Sequence, residues 1–215
     1  MLLKNKVERR SYGQYCGLAR ALDMVGERWT LLIVRNLLAG PLRYGELQST
    51  LPGITTNLLA KRLREMQAAD ILGRRGKRYA LTERGRELEP ALMALGRWGE
   101  SYLRAGPRSD DIVNIRWGMV SLKRRYRGHE RGAVTLLVDE RVFTIEFGAE
   151  GVHVTEDTGQ PDAPSPAPLV LRGPLRAYQR WLFRGDPPEG LAIEGPGFES
   201  FCASFGLRGD DRAAR

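Results

Sequence analysis

Apolar side chains at Tyr15, Leu18, Leu22 and Val25 recur every three or four positions, the spacing that lines one face of an α-helix. Ser11-Tyr12-Gly13-Gln14 just ahead matches a capping box, in which a Ser hydroxyl and a Gln side chain satisfy orphaned backbone donors, so the helix is expected to start there. Gly26 interrupts it. From about Arg28 to Leu38 the run through Trp29-Thr30-Leu31-Leu32-Ile33-Val34 is apolar almost all round, which marks a central, buried helix. Gly40-Pro41 stops it, since Gly takes a left-handed cap and Pro cannot continue a helix. A short helix from about Tyr44 to Thr50, a tight turn at Leu51-Pro52-Gly53 and a fresh cap at Thr55 or Thr56 predict two helices around a turn. On the second of them, 100° steps place Leu59, Leu63 and Met66 on one side and Asn57, Lys61 and Arg64 on the other.

Two short apolar-edged strands follow between Ile71 and Leu81, joined by a glycine-containing tip that carries Arg74, Arg75, Lys77 and Arg78. Thr82 is expected to cap a longer helix in which Leu88, Leu92 and Leu95 keep helical spacing, with Trp98 and Tyr102 beyond and Pro90 kinking or dividing it. Such a terminal helix can pack on its own domain or on a second copy of the chain, and the pattern leaves both open. Arg104 to Asp111, with Gly106-Pro107, reads as a linker. Past it the pattern predicts a helix over Ile112 to Tyr126 and alternating strands at Val134-Leu136-Val138 and Phe143-Ile145-Phe147. A third strand at Val152 to Thr155 leads into a proline-rich loop from Gln160 to Pro168. Then come a strand at Leu169 to Leu171, a helix from Pro174 to Phe183, a strand around Leu191 to Glu194 and a last helix from Phe198 to Phe205. The order is αββββαβα.

Charge sharpens this picture. Residues 1 to 105 hold 19 Lys and Arg against 10 Asp and Glu, whereas residues 106 to 215 hold 15 against 16. An excess confined to one half points to a polyanionic partner of that half, with nucleic acid foremost. Between Ile54 and Arg86 nine basic residues stand against three acidic ones. The outward trio Asn57, Lys61 and Arg64 suits base edges and phosphates in a major groove, and the cationic tip suits flanking phosphates or a minor groove. The plainer alternatives are a solvated helix face and a merely exposed turn.

Other chemistry is poorly provided for. Cys16 and Cys202 are the only cysteines and lie far apart, which excludes a disulfide framework. His129 and His153 stand on different elements without carboxylate or thiol partners at ligand spacing, so no metal site is expected. No Gly-rich phosphate loop or Gly-x-Ser-x-Gly elbow occurs; no catalytic residue and no cofactor is assigned, and the chain is not expected to be an enzyme. No stretch approaches the roughly 20 apolar residues of a membrane span, and a cytoplasmic location is expected.

From Cys16 to Trp98 the ordered series Gly26-Glu27-Arg28-Trp29-Thr30-Leu31-Leu32-Ile33, Leu38-Ala39-Gly40, Arg43-Tyr44-Gly45-Glu46-Leu47, Leu51-Pro52-Gly53-Ile54-Thr55, Leu59, Arg62-Leu63 and Tyr79-Ala80-Leu81-Thr82-Glu83-Arg84-Gly85 resembles the HxlR-type regulators. These are winged helix-turn-helix proteins related to the MarR regulators. The resemblance implies a homodimer, joined through the first and last helices of the domain, on a pseudo-palindromic operator of double-stranded DNA. The candidate DNA-binding residues are Arg43, Thr55, Thr56, Asn57, Lys61, Arg64, Arg74, Arg75, Lys77 and Arg78. Two departures stand out: the hairpin from Arg74 to Tyr79 is shorter than the usual wing, and Cys16 is followed by Gly17-Leu18 rather than proline-valine. Some relatives sense electrophiles or oxidants with the cysteine at this position; here a buried, small structural side chain is the favoured reading of Cys16.

The second half resembles the sterol-carrier-protein-2-like fold by its element order. The expected class is therefore α+β, with a winged helix-turn-helix domain over 1–105 and a smaller α/β sterol-carrier-protein-2-like domain over 112–215. Such folds can enclose an apolar tunnel, which implies a hydrophobic or aromatic small-molecule effector lined by Trp117, Phe143, Phe147, Trp181 and Phe183; the alternative is that these aromatics only fill the core. The function expected is a sequence-specific transcriptional regulator, with repression the simpler mode. The rival is a lipid or small-molecule carrier whose first half only dimerises.

Overall fold

Helix α1 spans Gly17–Val25, α2 Thr30–Leu37, α3 Tyr44–Ser49 and α4 Thr56–Ala68. The computed structural model describes residues 11–103, 111–128, 130–157 and 167–209. The linker expected from Arg104 onward (all but Asp111), His129 and most of the proline-rich loop lie outside the described residues. Ile33, Val34 and Leu37 of α2 are almost fully buried against Leu47, Leu51, Leu59, Leu63 and Met66, so the helix that reads as apolar all round is the centre of the domain. Strands β1 (Leu72–Arg75) and β2 (Arg78–Leu81) pair antiparallel, turning through Gly76 with its φ of 57°, a left-handed conformation that glycine adopts without strain. Leu42 adds a third rung, exchanging backbone hydrogen bonds with Tyr79. Pro90 divides the terminal helix as expected, into α5 (Glu83–Arg86), capped by Thr82, and α6 (Glu89–Gly99). A 3₁₀ turn over Glu100–Leu103 continues it.

The expected start of α1 is corrected. The Ser11 hydroxyl does not cap a helix; it donates to Asp23 Oδ2 at 2.8 Å, and the Tyr12 N–H donates to Asp23 Oδ1 at 2.9 Å. These bonds hold the Asp23 carboxyl below its usual range, with the Tyr12 amide as the main cause. The helix begins at Gly17 with Cys16 as an N-cap that makes no side-chain bond. Cys16 is exposed, so the buried role expected for it is also corrected.

The second half opens with α7, Ile115–Arg125, started by Asn114, whose Oδ1 accepts from the Arg116 N–H at 2.9 Å. Strands β3 (Gly132–Val138), β4 (Arg141–Gly148), β5 (Gly151–Asp157), β6 (Leu169–Gly173) and β7 (Ala192–Glu194) form one sheet in the order β5-β4-β3-β6-β7, parallel only between β3 and β6. Val134, Leu136 and Val138 alternate with residues of the opposite face and are buried with Met119 and Leu122 of α7. Helix α8 (Leu175–Gln179), a π-helical turn over Arg180–Arg184, and α9 (Phe198–Phe205) complete this core with Tyr178, Trp181, Phe201 and Phe205.

Helix α7 is also the seam between the halves. Arg116 is 0% exposed; its Nε donates to the Asn36 carbonyl at 2.8 Å, its Nη2 to the Gly40 carbonyl, and its Nη1 pairs with Glu156 of β5. These carbonyls lie at the C-terminal end of α2, where intrahelical donors run out and a cation is favoured. Burial draws the Arg116 guanidinium down to about 9, still charged at neutral pH. Trp117 Nε1 donates to Asn36 Oδ1 at 3.0 Å, and the Arg35 guanidinium lies 4.2 Å from the centre of the Trp117 ring. Lys123 pairs with Glu89 at 2.8 Å and Arg124 with Glu100 at 3.1 Å.

Candidate nucleic-acid interface

Thr55 sets the start of α4, its hydroxyl accepting from the Leu58 N–H at 3.3 Å, as an N-cap should. The Tyr44 hydroxyl donates to the Thr56 carbonyl at 2.8 Å and Gln48 Nε2 to the Thr56 hydroxyl at 3.1 Å, so α3 holds the N-terminus of α4. On the inner side, Arg62 donates to Glu27 at 2.6 Å and pairs with Glu65, tying α4 to the turn after α1. A helix fixed at its start and along its buried face presents the remaining side chains on a rigid base. Those side chains are Asn57, Lys61 and Arg64, all exposed. Lys61 makes only a loose pair with Glu65 at 3.9 Å, and Arg64 makes no ion pair among the described residues.

The other expected contacts divide into two groups. Arg43, at the start of α3, and Arg75 and Lys77, at the hairpin tip, are exposed and carry no ion pair among the described residues. Arg74 and Arg78 are spoken for. The Arg74 guanidinium lies 3.8 Å from the centre of the Tyr79 ring and donates to the Tyr79 hydroxyl at 2.6 Å. Arg78, expected among the free cations of the tip, is 7% exposed. Its Nη1 donates to Glu46 Oε2 at 2.9 Å, and the same carboxylate oxygen accepts from the Arg43 N–H at 2.7 Å. Glu46 thus clamps the hairpin to α3. Sequence reading missed Glu46 and Arg62 because their partners lie more than thirty residues away; only the i,i+3 spacing of Arg62 and Glu65 hinted at a role on the helix itself.

The five aromatics expected to line an effector tunnel are dispersed instead. Phe143 and Trp181 are fully buried, with Trp181 stacked on Phe198 and its Nε1 donating to the Arg208 carbonyl at 2.7 Å. Phe147 packs among Tyr126, Phe201 and Phe205, and Trp117 faces α2. These four do the work of core and seam. Phe183 alone of the five lines a sizeable groove. Among the described residues no group of three His, Cys, Asp or Glu could hold a metal ion, and no helix is long and apolar enough to cross a membrane.

Residues 24–107 match the family described as HxlR-like helix-turn-helix. An uncharacterised HTH-type transcriptional regulator of Synechocystis is 34% identical over 98 residues, covering 42% of this chain and 73% of that one. Another from Bacillus subtilis, YdeP, is 32% identical over 111 residues, 46% of this chain and 87% of its own length. One from Mycobacterium tuberculosis reaches 39% over 108 residues, but the chain spans only 64% of that relative. A solved structure described as quinone-bound YodB from Bacillus subtilis aligns at 33% identity with a TM-score of 0.38, covering 40% of this chain and 98% of that one. These alignments cover less than half of this chain, and the carrier alternative finds no support among the relatives, which are named as transcriptional regulators.

Proposed function

This chain belongs to the HxlR-like helix-turn-helix family of transcriptional regulators, and from that premise we propose that it is a homodimeric repressor which seats α4 of each protomer in the major groove of a pseudo-palindromic operator. The observation that carries this reading is the exposed row Asn57, Lys61 and Arg64 on a helix whose opposite face is locked into the core, with the free cations Arg43, Arg75 and Lys77 beside it. Thr55 and Thr56 shape the helix start, where backbone N–H groups approach phosphate. Arg74 and Arg78 brace the wing rather than reach for DNA. The dimer is supported by the apolar surface left on the first and last helices, and repression by simple occupation of a promoter.

Residues 112–215 form the second unit of this reading. Its element order, αββββαβα, suits a sterol-carrier-protein-2-like fold. It serves as an effector domain, bearing on the DNA-binding half through Arg116 and Trp117 at the end of α2.

Fluorescence anisotropy with the DNA upstream of the protein's own gene tests the interface. Five exposed cations per protomer, Arg43, Lys61, Arg64, Arg75 and Lys77, set an upper slope of about −9 for log affinity against log salt in a dimer, from counterion release at each neutralised phosphate. Lys61→Ala with Arg64→Ala is expected to weaken binding at least tenfold and to flatten that slope by about 3 to 4. Unchanged affinity in the double variant would put the wrong helix in the groove.

A further inference from the structure

A groove on the second half is lined by residues away from the recognition helix. It encloses about 700 Å³ between α8 with its π-helical turn, the residues preceding α7 and the loop before β7. That is the size of site that takes a drug-sized molecule. Its floor is apolar, built from Val113, Ala177 and Phe183, while Arg176, Arg180 and Arg184 line its side at every fourth position. Arg180 is anchored, donating to the Glu189 carbonyl at 3.2 Å. Arg176 and Arg184 are exposed and form no ion pair among the described residues. Glu189 supplies the one acidic side chain of the lining, so cations outnumber it three to one. A concave apolar surface edged by unneutralised guanidinium groups, which bind carboxylates bidentately, selects for a molecule with a greasy body and an anionic head.

We propose that this groove binds an amphipathic organic anion, an aromatic or aliphatic carboxylate, with its apolar part over Ala177 and Phe183 and its charge against Arg176 and Arg184. The proposal rests on the reading that the second half receives an effector, and it replaces the expected neutral apolar tunnel by an open, cationic site. The route to the DNA-binding half is short. The Phe183 ring lies so close over Gly118 that a Cβ there would come within 2.8 Å of it. Gly118 follows Arg116 and Trp117, which hold the end of α2. A ligand that displaces Phe183 therefore pushes on the helix that joins the halves.

Isothermal titration of the full chain with 1-naphthylacetate and with the uncharged 1-naphthylacetamide tests the site. The carboxylate is expected to bind at least tenfold more tightly than the amide, since each 1.4 kcal/mol of charge-assisted bonding is worth about that factor. In Arg176→Gln with Arg184→Gln the difference should fall below about twofold, with the melting temperature unchanged because both side chains are exposed. Equal binding of the two probes, or binding of neither up to their solubility limits, overturns the proposal. So does a loss of operator affinity in the ligand-free double variant, which would make the arginine row a DNA-backbone contact. Charge-selective binding that leaves operator affinity unmoved upholds the site and sinks only the effector reading.

Discussion

At the scale of single residues, the two thiols are set apart by their surroundings. Cys202 is buried on α9 with its Sγ facing the Arg208 carbonyl at 3.7 Å, and burial, with the Glu199 charge adding to it, pushes its pKa up to about 12. Since thiolate rather than thiol is the nucleophile, Cys202 is inert in the folded protein at pH 8. Native protein should consume one equivalent of Ellman's reagent per chain, at exposed Cys16, and a second only after denaturation; Cys16→Ser should abolish the native reaction. Two equivalents taken up under native conditions would mean that α9 opens readily. The same shift has a sign for stability. The unfolded chain loses this proton near pH 9 while the folded chain keeps it until about pH 12, so stability falls as pH rises through that window.

Helix α7 decides whether the two halves behave as one element of structure or two. Arg116 satisfies the end of α2 and neutralises Glu156 in one buried cluster, while Glu156 retains Arg141 at 2.6 Å. Arg116→Met keeps the volume and removes the donors, leaving two carbonyls unpaired. Breaking a buried pair in this way costs about 3 to 5 kcal/mol. Calorimetry should show one unfolding transition for the native chain, whose buried core is continuous across the seam, and a lower, divided transition for the variant; an unaltered single transition would show that apolar packing alone joins the halves. The helices and strands on either side of this seam were legible in sequence because their signals are local: periods of 3.6 and 2, Thr55 and Thr82 as caps, Gly40-Pro41 and Pro90 as breaks. What escaped was settled by distant partners. Ser11 lost its capping role because Asp23 competes for its hydroxyl. Arg78 turned inward because Glu46 lies across the fold. Nothing near Arg116 in the chain announces a carbonyl eighty residues earlier. The exposed polar face of α4 needed no such partner, being an amphipathic pattern on one helix, whereas the expected effector aromatics were chosen by type alone and proved to be divided among core, seam and groove.

For the whole molecule, the decisive feature is the apolar surface that one protomer leaves uncovered. Tyr15, Leu18 and Leu22 at α1 and Leu95, Trp98 and Tyr102 at and beyond the end of α6 are exposed, Trp98 at 71%, although Trp98 and Tyr102 rest edge-on against each other at 5.7 Å. An isolated chain rarely leaves so many large apolar side chains exposed unless they meet a partner. In the proposed dimer, a second copy of the same surfaces, related by a two-fold axis, would bury them and set the paired α4 helices to read half-sites about 34 Å apart, one turn of duplex DNA. Leu18→Glu with Trp98→Glu places like charges in that contact without touching α4 or the wing. Sedimentation should then report a monomer with an intact melting transition. Operator affinity should fall at least a hundredfold, because the second half-site no longer binds at the high effective concentration that the linkage of two protomers provides. A variant that sediments as a dimer would place the protomer contact on other helices; one that is monomeric yet grips the operator as tightly as the native protein would show that a single α4 and wing suffice.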